Sequence, residues 1–150
     1  MRKITIYIII TLLIGACSLN DEKPKVKNDA KTGVIHATDL FSPSIDDDDH
    51  FDLACQYALA VNNSIELKGL LLDRSNNRDP DVQAVAQLNY LTGLTIPFSV
   101  GIPERLKNSN NFEQFHQDQS VKMILDILES SSEPVVIHIT GTCRDVTVAG

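Results

Sequence analysis

Short runs of apolar residues alternate with segments of helical periodicity in the chain from position 33 onward. The apolar runs predict strands at residues 33–38, 65–72, 96–101 and 134–140. Helical spacing predicts a helix after each of these strands, the last one beginning near Arg144. Strands that alternate with helices of this length form βαβ units. We therefore expect an α/β domain with a Rossmann-like, mainly parallel sheet flanked by helices.

The apolar positions also predict which sides of the helices are buried. The first helix has small and apolar residues on one side, at Phe51, Ala54, Cys55, Ala58 and Val61. The third helix, at about residues 113–129, has Val121, Ile124, Leu125 and Leu128 on one side. Each of these sides is expected to pack on the sheet, because an apolar stripe at helical spacing is buried in most globular domains.

The second helix is predicted at residues 79–91 from the residues at its ends. Asp79 suits the N-cap and Pro80 the first helical position. Gly93 suits the end of the helix, where a left-handed residue is common.

The first 16 residues have the pattern of a targeting segment. Arg2 and Lys3 precede an almost continuous apolar run at 4–14, and small residues come directly before Cys17. The run is shorter than the ~20 residues that span a bilayer, and its ending resembles a bacterial lipoprotein signal. This resemblance implies lipidation of Cys17, a membrane anchor in the cell envelope and a domain outside the cytoplasm. The polar residues 17–32 predict a flexible tether, which leaves residues 33–150 as the folded domain.

Charge and composition exclude some partners. The formal net charge is −7, and it becomes −9 when Arg2 and Lys3 leave with the signal peptide. Nucleic acids are bound chiefly through Lys and Arg, so we expect no nucleic-acid partner. The four histidines are scattered and lack the spacing of a zinc finger. Cys55 and Cys143 lie in apolar segments, so we expect both to be small buried residues, with a disulfide or a reactive thiol as the alternative.

An acidic run is the strongest chemical signal in the chain. Residues 39–52 contain six aspartates, four of them consecutive at 46–49, and they connect the first strand to the first helix. Open parallel sheets bind ligands at the carboxyl ends of their strands. Calcium takes about 6–8 oxygen ligands, and a cation would relieve the repulsion among these carboxylates. We therefore expect a calcium site, with a solvated acidic loop or a helix cap as the alternatives.

Three segments together resemble the inosine-uridine preferring nucleoside hydrolases. They are His36-Ala37-Thr38-Asp39, Asp48-Asp49-His50-Phe51-Asp52-Leu53-Ala54 and Ile139-Thr140-Gly141-Thr142-Cys143-Arg144-Asp145-Val146-Thr147. That family opens with a strand carrying aspartates, continues with Asp-Asp at a helix start, and returns with a strand that ends in a Thr-Gly turn. The resemblance covers residues 33–150 and implies the N-terminal part of a truncated nucleoside hydrolase fold. We expect further sequence or another polypeptide to complete the sheet, which leaves a homo-oligomer open.

The resemblance also implies roles for individual residues. Asp39, Asp48, Asp49 and the backbone carbonyl of Thr140 would bind calcium, and Asp39 would be the general base for a calcium-bound water. Asp48 or Asp49 would hold the ribose 2′-hydroxyl, with Asp73 or Asn76 as a further ribose contact. The implied activity is hydrolysis of the N-glycosidic bond in purine or pyrimidine ribonucleosides or related ribosides.

Two questions stay open at this point. Residues 40–45 lengthen the gap before the aspartates, so Asp46 and Asp47, or Asp52, could replace Asp48 and Asp49 as ligands. The function is also open, because a membrane-tethered, non-catalytic module that binds calcium or a riboside would need the same acidic site. His50, beside the aspartates, is expected either to contact them or the substrate, or to lie exposed in the first helical turn.

Overall fold

The computed structural model describes residues 31–44, 47–75, 77–103, 105–106 and 112–150. The predicted signal peptide and Cys17 lie outside the described residues, as do nearly all of the tether, Asp46 and Asn76. Within the described ranges, no helix has the length and apolar character that crossing a bilayer requires.

The structure is an α/β domain in which strands and helices alternate. The strands are β1 (Thr32–Thr38), β2 (Phe41–Ser42), β3 (Ile65–Leu72), β4 (Asp79–Pro80), β5 (Phe98–Val100) and β6 (Val135–Ile139). The helices are α1 (Asp48–Val61), α2 (Val82–Thr92), α3 (Gln119–Ser130) and α4 (Arg144–Ala149), with a 3₁₀ turn at Glu113–Phe115. The predicted fold class is therefore confirmed.

The main sheet is parallel, with its strands in the order β5-β3-β1-β6. β1 pairs with β3 from Thr32 opposite Ile65 to Thr38 opposite Leu72. On its other side, β1 pairs with β6, and His36 lies opposite His138. The chain thus adds strands in one direction up to β5, then returns to the opposite side of β1 for β6. This third-second-first-fourth order is that of one end of a Rossmann-like sheet.

Helices cover both faces of the sheet, because both faces of the central strands are apolar. One face packs on α1 and α2 through a core centred on Leu53, Tyr57, Leu70 and Val85. The other face packs on α3 and α4, around Ile35, Ala37, Leu71 and Ile124. The alternation of side chains along β1 therefore places neighbouring residues in two different cores.

The buried side of α1 is not the predicted one. Leu53, Gln56 and Tyr57 are buried, whereas the predicted side is exposed, with Phe51 73% accessible. Both stripes recur at helical spacing, but the observed one contains larger side chains, and burial stabilises in proportion to apolar area. Cys55 lies on the exposed side and Cys143 is also exposed, so the prediction that both cysteines are buried is wrong.

Two helix starts also differ from the predictions. α2 begins at Val82, and its N-cap is Asp81, whose carboxylate accepts a hydrogen bond from the Ala84 amide at 3.1 Å. Residues 79 and 80 form β4 instead, in an antiparallel pair with β2. Asp118 caps α3, so residues before 118 are not part of that helix. Gly93 does end α2, with a φ of 71°, as predicted.

Candidate functional site

The carboxyl ends of β1 and β6 form the point where the strand order reverses. The Thr140 amide donates a hydrogen bond of 2.8 Å to the Ala37 carbonyl, so the chain leaving β6 stays beside the end of β1. In open α/β sheets, helices leave such a pair of strands toward opposite faces, and the crevice between them binds ligands. The predicted calcium ligands come from the two segments that border this crevice.

Three aspartates of the acidic run lie close together at this crevice. Asp39 follows β1 directly, and α1 begins at Asp48 with Asp47 at its N-cap. The buried hydroxyl of Thr38 donates a hydrogen bond of 3.2 Å to the Asp49 carboxylate. This contact fixes Asp49 against the end of β1, where it interacts with Asp39 and with the more exposed Asp48. The structure thus brings Asp39, Asp48 and Asp49 together, as the sequence predicted.

The electrostatics of Asp49 reflect this crowding. Burial, followed by the negative charge of Asp39 and then that of Asp48, raises the pKa of Asp49 from 3.8 to about 6. The hydrogen bond from Thr38 opposes this change and is too weak to cancel it. A carboxylate cluster whose members repel one another is an environment that favours a bound cation.

This raised pKa predicts a specific dependence of stability on pH. Between pH 3.8 and about 6 the folded protein binds more protons at Asp49 than the unfolded chain, so stability falls as pH rises through this window. We expect the stability of Asp49→Asn to lack this decrease, so that above pH 6 the variant is more stable than the unmodified protein. Urea unfolding in calcium-free buffer at a series of pH values measures it. A stability difference between the two proteins that is the same at every pH would contradict the prediction.

Gly141 allows the turn after β6 to lie against the end of β1. A Cβ at this position would be 2.7 Å from the Asp39 amide nitrogen and 2.9 Å from the Thr38 carbonyl carbon. Both are backbone atoms, so they have little freedom to move away. The close approach places exposed Thr140, the predicted carbonyl ligand, next to Asp39 in the crevice.

Asp73 supports this turn from the end of β3. Its carboxylate, only 2% accessible, accepts a hydrogen bond of 2.8 Å from the Thr142 amide and lies 3.7 Å from the Arg144 guanidinium. Burial raises the pKa of Asp73, while Thr142 and Arg144 act in the opposite direction. The described contacts of the Asp73 carboxylate are therefore with Thr142 in the turn and with Arg144 at the start of α4. Its predicted contact with ribose stays a prediction, as does that of Asn76.

Asp145 fastens the following helix to the rest of the domain. It is buried, and it accepts hydrogen bonds from the Ile102 amide at 2.9 Å and from the Ser120 hydroxyl. These bonds connect α4 to the segment after β5 and to the start of α3. Four chain segments at the carboxyl side of the sheet are thus cross-linked by two buried carboxylates, Asp73 and Asp145.

A second cluster was not predicted from the sequence. His36 of β1 is fully buried, and its Nδ1 lies 3.1 Å from Nδ1 of His138 in β6. Asp52 of α1 lies 3.4 Å from Nε2 of His36. Burial, the largest influence, lowers the pKa of His36 to about 4. The two histidines are 102 positions apart, so spacing alone did not connect them. When the two predicted strands are aligned at their carboxyl ends, Thr38 and Thr140, the two histidines lie opposite each other.

His50 contacts neither the acidic run nor the histidine cluster in the described contacts. Its Nε2 lies 3.4 Å from the carboxylate of Asp81, which caps α2. The contact connects the first turn of α1 to the start of α2. This structural role is neither of the two that the sequence predicts for His50.

Comparison with known proteins gave no further guide to function. No protein-family model, curated protein or solved structure matched the chain. Function is therefore inferred from the geometry of the crevice and from the residues that border it.

Proposed function

We propose that the crevice between the ends of β1 and β6 hydrolyses the N-glycosidic bond of ribonucleosides or related ribosides. The observation that supports this most directly is the convergence of Asp39 and Asp49 with the Thr140-Gly141 turn at the point where the strand order reverses. Small polar ligands bind at such points in open α/β sheets. Carboxylates at the same place provide a base for the reaction.

The residues at the crevice fit a calcium ion. Asp39, Asp48, Asp49 and the Thr140 carbonyl would hold it, and all of them offer the hard oxygen ligands that calcium prefers. Burial is the main cause of the raised pKa of Asp49, and the negative charges of Asp39 and Asp48 add to it, which supports this set because the charges lie close together. When bound, calcium would supply positive charge that makes water more acidic and a template for the ribose hydroxyls.

The side chains then divide the chemistry among them. The Asp39 carboxylate takes a proton from water as the water oxygen bonds to the anomeric carbon of the sugar. The bond from that carbon to the base nitrogen breaks, and the base leaves with its bonding electrons and takes a proton from solvent. Asp48 holds the ribose 2′-hydroxyl, while the Thr38 hydroxyl keeps Asp49 in place. Fixing sugar and water together is the main source of rate enhancement in such an arrangement.

The proposal extends to cellular location. A lipid on Cys17 would anchor the domain to a bacterial envelope membrane, with the tether holding the crevice away from the lipid surface. Both Cys17 and the tether up to residue 30 lie outside the described residues. Globomycin treatment of producing cells tests the anchor, because it blocks cleavage of lipoprotein signals and would leave the precursor uncleaved.

Calcium binding and hydrolysis, measured on the full chain in detergent micelles, test the proposal. We expect calorimetry to show saturable calcium binding that Asp39→Asn weakens by at least about tenfold, because ligand charge sets calcium affinity. Asp79→Asn, at an exposed position in β4, is the matched control and should bind as the unmodified chain does. Release of nitrophenol from p-nitrophenyl riboside, and of free base from a panel of nucleosides, measures hydrolysis.

The outcomes separate the proposed functions. Calcium-dependent hydrolysis that is lost in Asp39→Asn would support the enzyme. Calcium or riboside binding with no turnover would favour the tethered, non-catalytic module. Absence of calcium binding in a sample with native circular dichroism would overturn both, and would leave the acidic run as a solvated surface.

A further inference from the structure

The histidine cluster brings nitrogen and oxygen atoms together on the face of the sheet that α1 covers. Nδ1 of His138 lies 3.1 Å from Nδ1 of His36, 3.2 Å from the Gln56 amide nitrogen and 3.8 Å from Oδ2 of Asp52. These residues come from β1, β6 and α1, and none belongs to the calcium set proposed above. Asp52, which the sequence left open as an alternative calcium ligand, instead contacts both histidines. The cluster is therefore separate from the acidic crevice.

Hydrogen bonds among these residues do not satisfy all of their polar atoms. Nε2 of His36 and Oδ2 of Asp52 are both buried, and neither has a hydrogen-bond partner among the described residues. As the Gln56 amide is oriented, it donates to Nδ1 of His138, which makes that nitrogen an acceptor. With neutral rings, His36 has a single N–H. This N–H can point either toward His138 or toward Asp52. The contact with the other residue is then between two hydrogen-bond acceptors.

A cation removes this conflict, because each of the three side chains can then offer a lone pair to it. Among His36, Asp52 and His138, one ligand atom from each can be chosen so that all lie within 4.8 Å of one another. In a tetrahedral zinc site with bonds of about 2.0–2.1 Å, neighbouring ligand atoms are roughly 3.3 Å apart. Nδ1 of His138 and Oδ2 of Asp52 are 3.8 Å apart, and His36 lies either 3.1 Å from the first atom through Nδ1 or 3.4 Å from the second through Nε2, so each of these separations is close to that value.

We propose that His36, Asp52 and His138 form a binding site for a zinc-class divalent cation. Two imidazoles with one carboxylate suit Zn²⁺, Co²⁺ or Ni²⁺ and not calcium, which prefers oxygen ligands. Three protein ligands leave a fourth position for water or a small anion. The cluster is accessible on the His138 side, where that side chain is 42% exposed, so water or a small anion could reach a bound ion.

The fold holds these ligands in place before any metal binds. His36 and His138 are opposite each other in the register of β1 and β6, and their rings stack at 5.1 Å with an angle of 20°. Asp52 is next to Leu53, whose side chain is fully buried in the core under α1. Gln56 lies one turn later on the same helix and donates a hydrogen bond to Nδ1 of His138, which a cation bound at that atom would replace. Ligands fixed by packing in this way lose little entropy on binding.

Cobalt and zinc titrations of the full chain test the site. The three cysteines are replaced by serine and no histidine tag is used, because thiolates and tags bind the same metals. We expect one equivalent of Co²⁺ to give the visible absorption of a tetrahedral site, and Zn²⁺ to displace it. His138→Ala and Asp52→Asn should each weaken binding by at least about a hundredfold, more than the loss of an outer partner costs.

Two controls make the result specific. His116→Ala removes an exposed histidine outside the cluster, and Asp39→Asn removes a proposed calcium ligand. Both should retain full cobalt binding, so the two proposals can fail independently. Circular dichroism checks that each variant is folded. If His138→Ala does not fold, Asp52→Asn, which keeps the shape of the side chain, provides the test. Absence of stoichiometric binding, or equal binding in Asp52→Asn, would overturn the proposal and leave a hydrogen-bonded histidine pair.

Discussion

Leu53→Ala is expected to lower the free energy of unfolding by about 3 kcal/mol, the middle of the range for a fully buried leucine. The Leu53 side chain is inaccessible and belongs to the core between α1 and the sheet. Its removal loses the burial of three carbon atoms and leaves a cavity beneath the helix that positions Asp49 and Asp52. Urea unfolding followed by circular dichroism measures the change.

Leu59→Ala is the matched control, because it makes the same substitution in the same helix. Leu59 is 42% accessible and lies on the side of α1 that faces away from the core. We expect a loss of less than about 1 kcal/mol there, since a half-exposed side chain contributes much less burial. Equal losses at the two positions would mean that α1 does not bury the Leu53 side, and the assignment of its faces would be wrong.

Gly141→Ala is expected to lower the free energy of unfolding by about 2–3 kcal/mol and to abolish calcium binding. The added methyl would overlap the backbone at Asp39 and Thr38, so the turn must move away from the end of β1. That movement separates the Thr140 carbonyl from Asp39 and withdraws Thr142 from the Asp73 carboxylate. Unfolding curves and calcium calorimetry on the same samples measure both effects.

Gly69→Ala provides the comparison for an added methyl group. A Cβ at Gly69, in β3, would meet the ends of the Ile127 and Met123 side chains, at 2.9 and 3.4 Å. These atoms can rotate away, so we expect a change of less than about 1 kcal/mol and normal calcium binding. Calcium binding that survives in Gly141→Ala would remove the turn after β6 from the proposed site.

The strands were the part of the fold that the sequence predicted best. Ile65–Leu72 was predicted with its observed ends, and the run at 33–38 is buried along its whole length. Central strands of a parallel sheet are covered on both faces, so they appear in the sequence as short, continuous apolar runs. Grouping Asp39 with Asp49 followed from the same patterns, because the strand end and the helix start lie close in sequence.

The faces of α1 could not be predicted in the same way. Its sequence is apolar or small on several sides, so two stripes fit the helical period equally well. Packing on the sheet determines which stripe is buried, because the sheet accommodates the larger side chains of Leu53 and Tyr57. The exposed position of Cys55 follows from that choice, and no local pattern around the cysteine indicates it.

The histidine cluster depends on contacts that are still more remote in sequence. His36 and His138 are neighbours because β6 pairs with β1 and not with β5, the strand that precedes it along the chain. The local sequence of either histidine contains no trace of that pairing. Polar pairs between distant strands can therefore be recognised only when the strand order is known.

The pairing of β6 with β1 also determines when in folding the two proposed sites can exist. The strands that form it are about a hundred residues apart, and contacts this distant form late because the intervening chain must first be ordered. A chain in which β6 has not yet paired therefore lacks the Thr140 carbonyl at the acidic crevice and His138 in the histidine cluster. Because each proposed cation would have its full set of ligands only in the paired strands, metal supply would shift the chain toward its completed sheet.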